Sequence, residues 1–194
     1  MASTGNLQRV AASDEELMAE VRAGEVRQLG ALFDRHHAAL FRYSMRMTGR
    51  RERSEDLVQE IFFRMLRYRE TYRDGHLFVT WMFRIARNAY IDQARKGRFE
   101  IVGKEVAEPS IMPGNEIEDE QELALLRQAL AKLPDAQREL LVLARFEQMP
   151  YDQIADLLDI EVGTVKTRVH RAIKNLRDVF FDLTGGTHAL RTSS

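Results

Sequence analysis

The sequence predicts an all-α protein of two small helical domains joined by a flexible acidic linker. Three observations support this. Apolar residues recur at helical spacing along most of the 194-residue chain, and no segment sustains the period-two alternation of a half-buried strand. Between residues 97 and 120 the period stops: "GRFEIVGKEVAEPSIMPGNEIEDE" contains Gly97, Gly103, Pro109, Pro113 and Gly114, the composition of a connector. The charge is also segregated. Residues 64–98 carry nine Arg or Lys against three acids and 161–178 carry five against two, whereas 99–122 holds one Lys and eight acids. The net charge of −1 hides two basic faces, and basic patches rather than totals mark nucleic-acid binding.

Helices are expected at roughly 14–22, 26–48, 52–70, 77–97, 118–132, 135–147, 151–158 and 162–180. The turn "TGRRERSED" separates the second and third, with Ser54 as N-cap, and "RDG" at 73–75 closes the third. Pro134 and Pro150 stand at helix starts, where a missing N–H costs little. The expected organisation is a first domain over 10–97, a linker over 98–117, a second domain over 118–182 and a disordered tail over 183–194.

Composition narrows the class. A hydrophobic content of 44% with 30% charged residues is that of a globular protein. The absence of cysteine removes disulfides and thiolate metal sites and fits a reducing compartment. The N-terminus lacks the apolar core of a signal peptide, and no apolar run reaches the roughly 18–20 residues of a membrane span. A soluble, cytoplasmic protein is expected. The sequence has no P-loop, H-E-x-x-H, G-x-S-x-G or Gly-rich dinucleotide turn, and its histidines lack an acidic partner at ligand spacing. No enzyme activity, cofactor or metal is expected.

The second domain ends in a helix–turn–helix pattern. "YDQIADLLD" is a short helix with Ile154, Leu157 and Leu158 apolar and Ala155 small; Asp159-Ile160-Glu161 is a tight connection with Ile160 between the helices. In the following helix Val162, Val165, Val169, Ala172, Ile173 and Leu176 share one face. Gly163, Thr164, Thr167, Arg171 and Lys174 lie opposite, with Lys166 and Arg168 on the flanks. Small and basic residues at the exposed start of a second helix suit entry into a DNA groove. A solvated amphipathic helix would show the same face; the short partner helix and the turn length favour the DNA reading.

The run from "LAKLPDAQRELL" to "VGTVKTRVHRAIKNLR" resembles region 4 of sigma-70-family factors, in particular the small extracytoplasmic-function (ECF) group. The resemblance rests on Leu133-Pro134, Ile154-Ala155, Gly163-Thr164-Val165-Lys166, Arg168 and Arg171-Ala172. It implies that Thr164, Lys166, Thr167, Arg168, Arg171 and Lys174 contact the −35 promoter element as duplex. Three positions depart from the pattern: Asp159 replaces a frequent Gly, Glu161 a Ser or Thr cap, and Gln153 a common Glu. LuxR-like regulators share part of this motif, so region 4 alone leaves the family open.

In the first domain the helix "LFVTWMFRIARNAYIDQARKG" is apolar around most of its circumference and keeps a narrow polar stripe of Arg84, Asn88, Asp92 and Arg95. The pattern Trp81, Ile85-Ala86-Arg87-Asn88, Asp92 and Arg95 resembles ECF region 2, which recognises and opens the −10 element. The resemblance implies contacts to the melted −10 strand from Arg84, Arg87, Asn88 and Arg95. It also implies capture of a flipped base by the loop "ETYRDGHLFV", with Tyr72, Arg73 and His76 as candidates. "DLVQEIFFRMLR" resembles the helix that docks on the clamp helices of the polymerase largest subunit, through Asp56, Gln59, Glu60, Phe63, Arg64 and Arg67. Both regions stand in the family's order, and the chain holds no room for regions 1.1 and 3, which fits the ECF group.

The implied function is a sigma factor that binds core RNA polymerase, including its β flap, and directs promoter-specific initiation. A restraining anti-sigma factor and a nucleoid location when active accompany that reading. The free chain is expected to be compact, its acidic linker competing with DNA. An adaptor acting only through protein contacts, and a dimeric helix–turn–helix repressor, are the rival classes; the sequence shows no dimerisation helix for the latter.

Overall fold

The computed structural model describes residues 12–100 and 117–188, with side chains over 12–96 and 121–184. Among the described residues there is no strand. The helices are α1 (Asp14–Arg22), α2 (Gln28–Thr48), α3 (Arg51–Arg67), α4 (Phe78–Glu100), α5 (Ile117–Lys132), α6 (Asp135–Leu141), α7 (Tyr151–Leu158) and α8 (Val162–His188). A 3₁₀ turn, Arg69–Thr71, follows α3, and a π turn, Val142–Phe146, continues α6.

In the first group α2, α3 and α4 pack as a bundle and α1 packs mainly against α2. A capping box starts α1: the Glu16 N–H donates to Ser13 Oγ at 3.1 Å and the Ser13 N–H to Glu16 Oε2 at 2.7 Å. Gly49 ends α2 in the left-handed region at φ 69°. The N-cap expected at Ser54 is instead Arg50, whose extended backbone begins α3 four residues earlier. Ser54 is buried one turn inside, its hydroxyl bonded to the Arg50 carbonyl at 2.6 Å and lying 2.7 Å from Thr48 Oγ1. A serine that bonds back to the i−4 carbonyl satisfies itself within a helix, so its presence near the turn does not mark the start. The core is built from Leu32, Leu40, Tyr43, Leu57, Ile61, Met65, Phe78, Met82, Phe83 and Ala86.

In the second group α5, α6 and α7 pack around α8. Leu130, Leu141, Ile154, Ala155, Val165, Val169 and Ala172 are buried there. The regular helix expected over 135–147 is interrupted by the π turn. Val142 and Leu143 are both buried, while Phe146 is exposed with the Arg46 guanidinium 4.3 Å from its ring centroid. Arg138 closes the C-terminal end of α5 by donating to the Leu130, Ala131 and Leu133 carbonyls at 3.1, 2.7 and 3.0 Å.

Helix α4 runs to Glu100 and α5 begins at Ile117, so both ends of the expected 98–117 linker are helical; residues 101–116 lie outside the described residues. The expected tail also begins inside a helix, since α8 continues to His188. Thr184 Oγ1 donates to the Phe180 carbonyl at 3.0 Å, and glycines at 185 and 186 weaken a helix without forbidding it.

The turn between α7 and α8 forces Asp159 into the left-handed region at φ 55°, ψ 52°, while the Ile160 N–H closes the turn on the Ala155 carbonyl at 3.0 Å. A residue with a Cβ is disfavoured there. Replacing it, D159G, is therefore expected to raise the stability of the chain by about 0.5–1 kcal/mol, read as a higher midpoint in urea or thermal unfolding.

Candidate nucleic-acid interface

Helix α8 presents the face read from the sequence. Lys166, Thr167, Arg168, Arg171 and Lys174 are exposed and Thr164 is half-buried, over an opposite side in which Val165, Val169 and Ala172 are buried. Thr167 donates its hydroxyl to the Gly163 carbonyl at 3.0 Å, which leaves the oxygen as an acceptor. Val162 departs from the expected apolar face. It is 39% exposed, although Val165 in the same turn is fully buried.

On α4 the stripe is also present. Arg84, Asn88 and Arg95 are exposed and Arg87 is half-buried, while Trp81, Met82, Phe83, Ile85, Ala86 and Ala89 are buried. Asp92 is tied across to α3, its Oδ2 2.7 Å from Arg64 Nη1. The loop before α4 exposes Arg73 and His76. Tyr72 is a correction: its side chain is 1% exposed and its hydroxyl donates to the His76 carbonyl at 2.8 Å. It cannot meet a strand; it closes the base of the loop, edge-on to Phe78 and Trp81. Aromatic residues near a basic loop look alike in sequence whether they face DNA or the core.

On α3, Asp56, Gln59, Phe63 and Arg67 are exposed and Glu60 is half-buried. Phe63, at 59% exposure, is an apolar side chain left in water on that face. Arg64 is different. Its side chain is 17% exposed and bonded to Glu60 at 2.6 Å and to Asp92 at 2.7 Å. It serves as a strut between α3 and α4, so of the six residues expected to dock it is the one committed to the fold.

Sequence reasoning missed the partner of His36. Its Nε2 lies 2.6 Å from Asp14 Oδ2, and Arg35 bonds the other oxygen at 2.7 Å. Burial works to raise the Asp14 carboxyl, but the bonds from Arg35 and His36 outweigh it and hold the group below its ordinary value. Asp14 comes from another helix, so no spacing on α2 announces it.

The sigma-70 region 2 family model matches residues 32–100 and the sigma-70 region 4 model matches 123–176. The chain is 35% identical over 159 residues to the ECF RNA polymerase sigma factor SigL of Mycobacterium tuberculosis, covering 80% of this chain and 90% of that protein. It is 29% identical over 177 residues to the ECF sigma factor SigW of Bacillus subtilis, covering 84% and 95%. The sigma factor RpoE of Bartonella quintana, solved in complex with the anti-sigma factor NepR, superposes with a TM-score of 0.67 at 25% identity, over 77% of this chain and 94% of that one. This chain is an ECF sigma factor of the sigma-70 family. It directs transcription initiation, and family membership makes it a regulator rather than an enzyme. Among the described residues no helix is long and apolar enough to cross a membrane.

In this sigma factor regions 2 and 4 pack directly against each other, their buried apolar residues forming one cluster, and a set of polar contacts joins them. Arg84 Nη2 donates to the Asp156 carbonyl at 2.6 Å. Arg87 Nε reaches Glu139 Oε2 at 3.2 Å, and the Tyr43 hydroxyl reaches Glu139 Oε1 at 3.5 Å. Arg138 Nη1 donates to the Met47 carbonyl at 2.8 Å, and Arg46 lies 3.5 Å from Glu147. Two arginines expected to meet the −10 strand are thus held by region 4. A groove of about 930 Å³ opens beside them, with Arg73, His76 and Arg84 facing Asp156, Asp159 and Glu161. The competition expected of the acidic linker falls outside the described residues; here α6 and α7 supply the opposing groups.

Burial pushes the Glu139 carboxyl up, against the pull of Arg87 and Tyr43 and with a further push from Asp135. It likewise raises Glu147 against Arg46 and Arg42. Both carboxyls therefore bind their protons more tightly in the folded chain than in the unfolded one, so stability is present below the ordinary carboxyl value and is lost as pH rises through the raised values. The pH dependence of the unfolding midpoint is expected to shrink in E139Q, which cannot titrate.

Proposed function

We propose that this sigma factor reads promoter DNA at two places and docks on core polymerase through a third. The observation that carries the reading is the exposed basic face of α8 above its buried apolar side. With the helix N-terminus in the major groove of the −35 duplex, Thr164 and Thr167 meet base edges, and Lys166, Arg168, Arg171 and Lys174 meet guanines or phosphates. Arg84, Arg87, Asn88 and Arg95 line the path of the melted −10 strand, with Arg73 and His76 on the loop that captures an unstacked base. Nothing in this arrangement hydrolyses a nucleotide. Opening is driven by tighter binding of the unpaired form, which shifts a pre-existing equilibrium.

The exposed face of α3, with Phe63 at its centre and Asp56, Gln59, Glu60 and Arg67 around it, docks on the clamp helices of the largest polymerase subunit. Region 4 meets the β flap. Arg84 and Arg87 have to leave Asp156 and Glu139 before they can meet DNA, so polymerase that holds regions 2 and 4 apart would release them. The two regions then act as a bivalent reader with fixed spacing. The NepR complex of the related RpoE supports an anti-sigma protein as the natural restraint. The working location is the bacterial cytoplasm, at the nucleoid.

Run-off transcription with core polymerase, this chain and genomic fragments from its source is the direct test. Discrete chain-dependent transcripts are expected, and silence without core binding would remove the reading. R171A is expected to weaken −35 discrimination by about 1–3 kcal/mol; unchanged promoter selectivity would take Arg171 out of the base-reading set. F63A is expected to weaken core binding by about 1–2 kcal/mol while leaving the unfolding midpoint near wild type, measured by competition for core.

A further inference from the structure

We propose that Arg22 and Glu15 of α1 are positioning residues for −10 strand capture: from behind the DNA-facing surface they fix the shape of loop 73–77. This role rests on the −10 reading given above.

The loop is anchored at both ends. Tyr72 and Phe78 are buried at its base, and the five residues between them are exposed. At one end Arg22 Nη1 donates to the Tyr72 carbonyl at 2.9 Å, and Nη2 donates to both carboxylate oxygens of Asp74 at 2.8 and 2.7 Å. At the other end Glu15 Oε1 accepts the Phe78 N–H at 3.1 Å, one of the amides at a helix start that has no partner within the helix. Glu15 and Arg22 are seven residues apart, two helical turns, and so lie on one face of α1. The buried Leu17, Met18 and Val21 fix that face against the bundle. Inside the loop Gly75 takes the left-handed turn at φ 83°, and the Tyr72 hydroxyl holds the His76 carbonyl.

The carboxylate of Asp74 is 72% exposed, and exposed ion pairs contribute little to global stability. The effect of the clamp is therefore local. It removes conformations from a loop that would otherwise have to be ordered when a base binds, and pre-ordering of that kind appears in affinity. Helix α1 precedes the stretch that matches region 2, which begins at residue 32, so the loop takes its shape from a segment outside the matched region.

Holoenzymes carrying R22A, E15A or E15Q would be compared with wild type on a non-template strand bearing 2-aminopurine at successive −10 positions. Core affinity and amide hydrogen exchange over residues 73–78 of the full chain would be measured in parallel. R22A and E15A are expected to exchange faster in the loop, to lose about tenfold in strand affinity together with most of the fluorescence rise of the unstacked base, and to keep wild-type affinity for core. E15Q retains an oxygen for the Phe78 N–H and is expected to recover capture. Unchanged exchange in R22A, or faster exchange with undiminished capture, overturns the role. Wild-type holoenzyme that gives no fluorescence rise at any −10 position overturns the strand-capture reading and the proposal with it; a loss confined to the variants marks the clamp alone.

Discussion

Helix α4 buries Phe78, Trp81, Met82, Phe83, Ile85, Ala86 and Ala89, and a helix surrounded on that many sides has room for only one polar stripe. Each large apolar side chain so buried is worth about 1.5–3 kcal/mol, several times an exposed ion pair. That burial therefore fixes the helix, and the position of Arg84, Asn88 and Arg95 follows from it. The neighbouring surfaces depend on the same constraint. Arg64 reaches Asp92 on α4 and holds α3 at a set distance, which leaves Phe63 and Arg67 pointing outward. Phe78 sits among Tyr72, Trp81 and His36, so the loop before α4 starts from a rigid aromatic base.

The junction between regions 2 and 4 is of another kind. Beside a hydrophobic cluster that runs through both regions it carries arginine–carboxylate and arginine–carbonyl contacts, with Glu139 7% exposed and Tyr43 fully buried beside it. Breaking one partner of a buried pair is costly, yet the pair as a whole contributes little once desolvation is counted. These polar contacts make the junction specific, because each requires its partner in place. The residues that close it, Arg84 and Arg87, are the ones proposed to meet DNA, so the packed form and the DNA-bound form compete for the same side chains.

Much of this was legible in the chain itself. Periodicity placed every helix, and all their ends but the C-terminus of α8 to within a few residues, because an amphipathic stripe is a local property. The helix–turn–helix and its basic face were legible for the same reason. Failures came where local sequence allows two environments. Ser54 satisfied itself inside α3 instead of capping it, Tyr72 faced the core instead of the solvent, Val162 faced the solvent instead of the core, and α8 ran through two glycines.

The sequence by itself determined the fold class, the two-region organisation, the family and the polar residues that reach the surface, since all of these follow from spacing along one helix or from motifs read in order. Only the tertiary structure decided what those residues meet. Asp14 with His36, Arg22 with Asp74, Arg64 with Asp92 and Arg87 with Glu139 are joined across 22, 52, 28 and 52 positions of chain. A pairing between helices depends on how they cross, and no period within either helix carries that information.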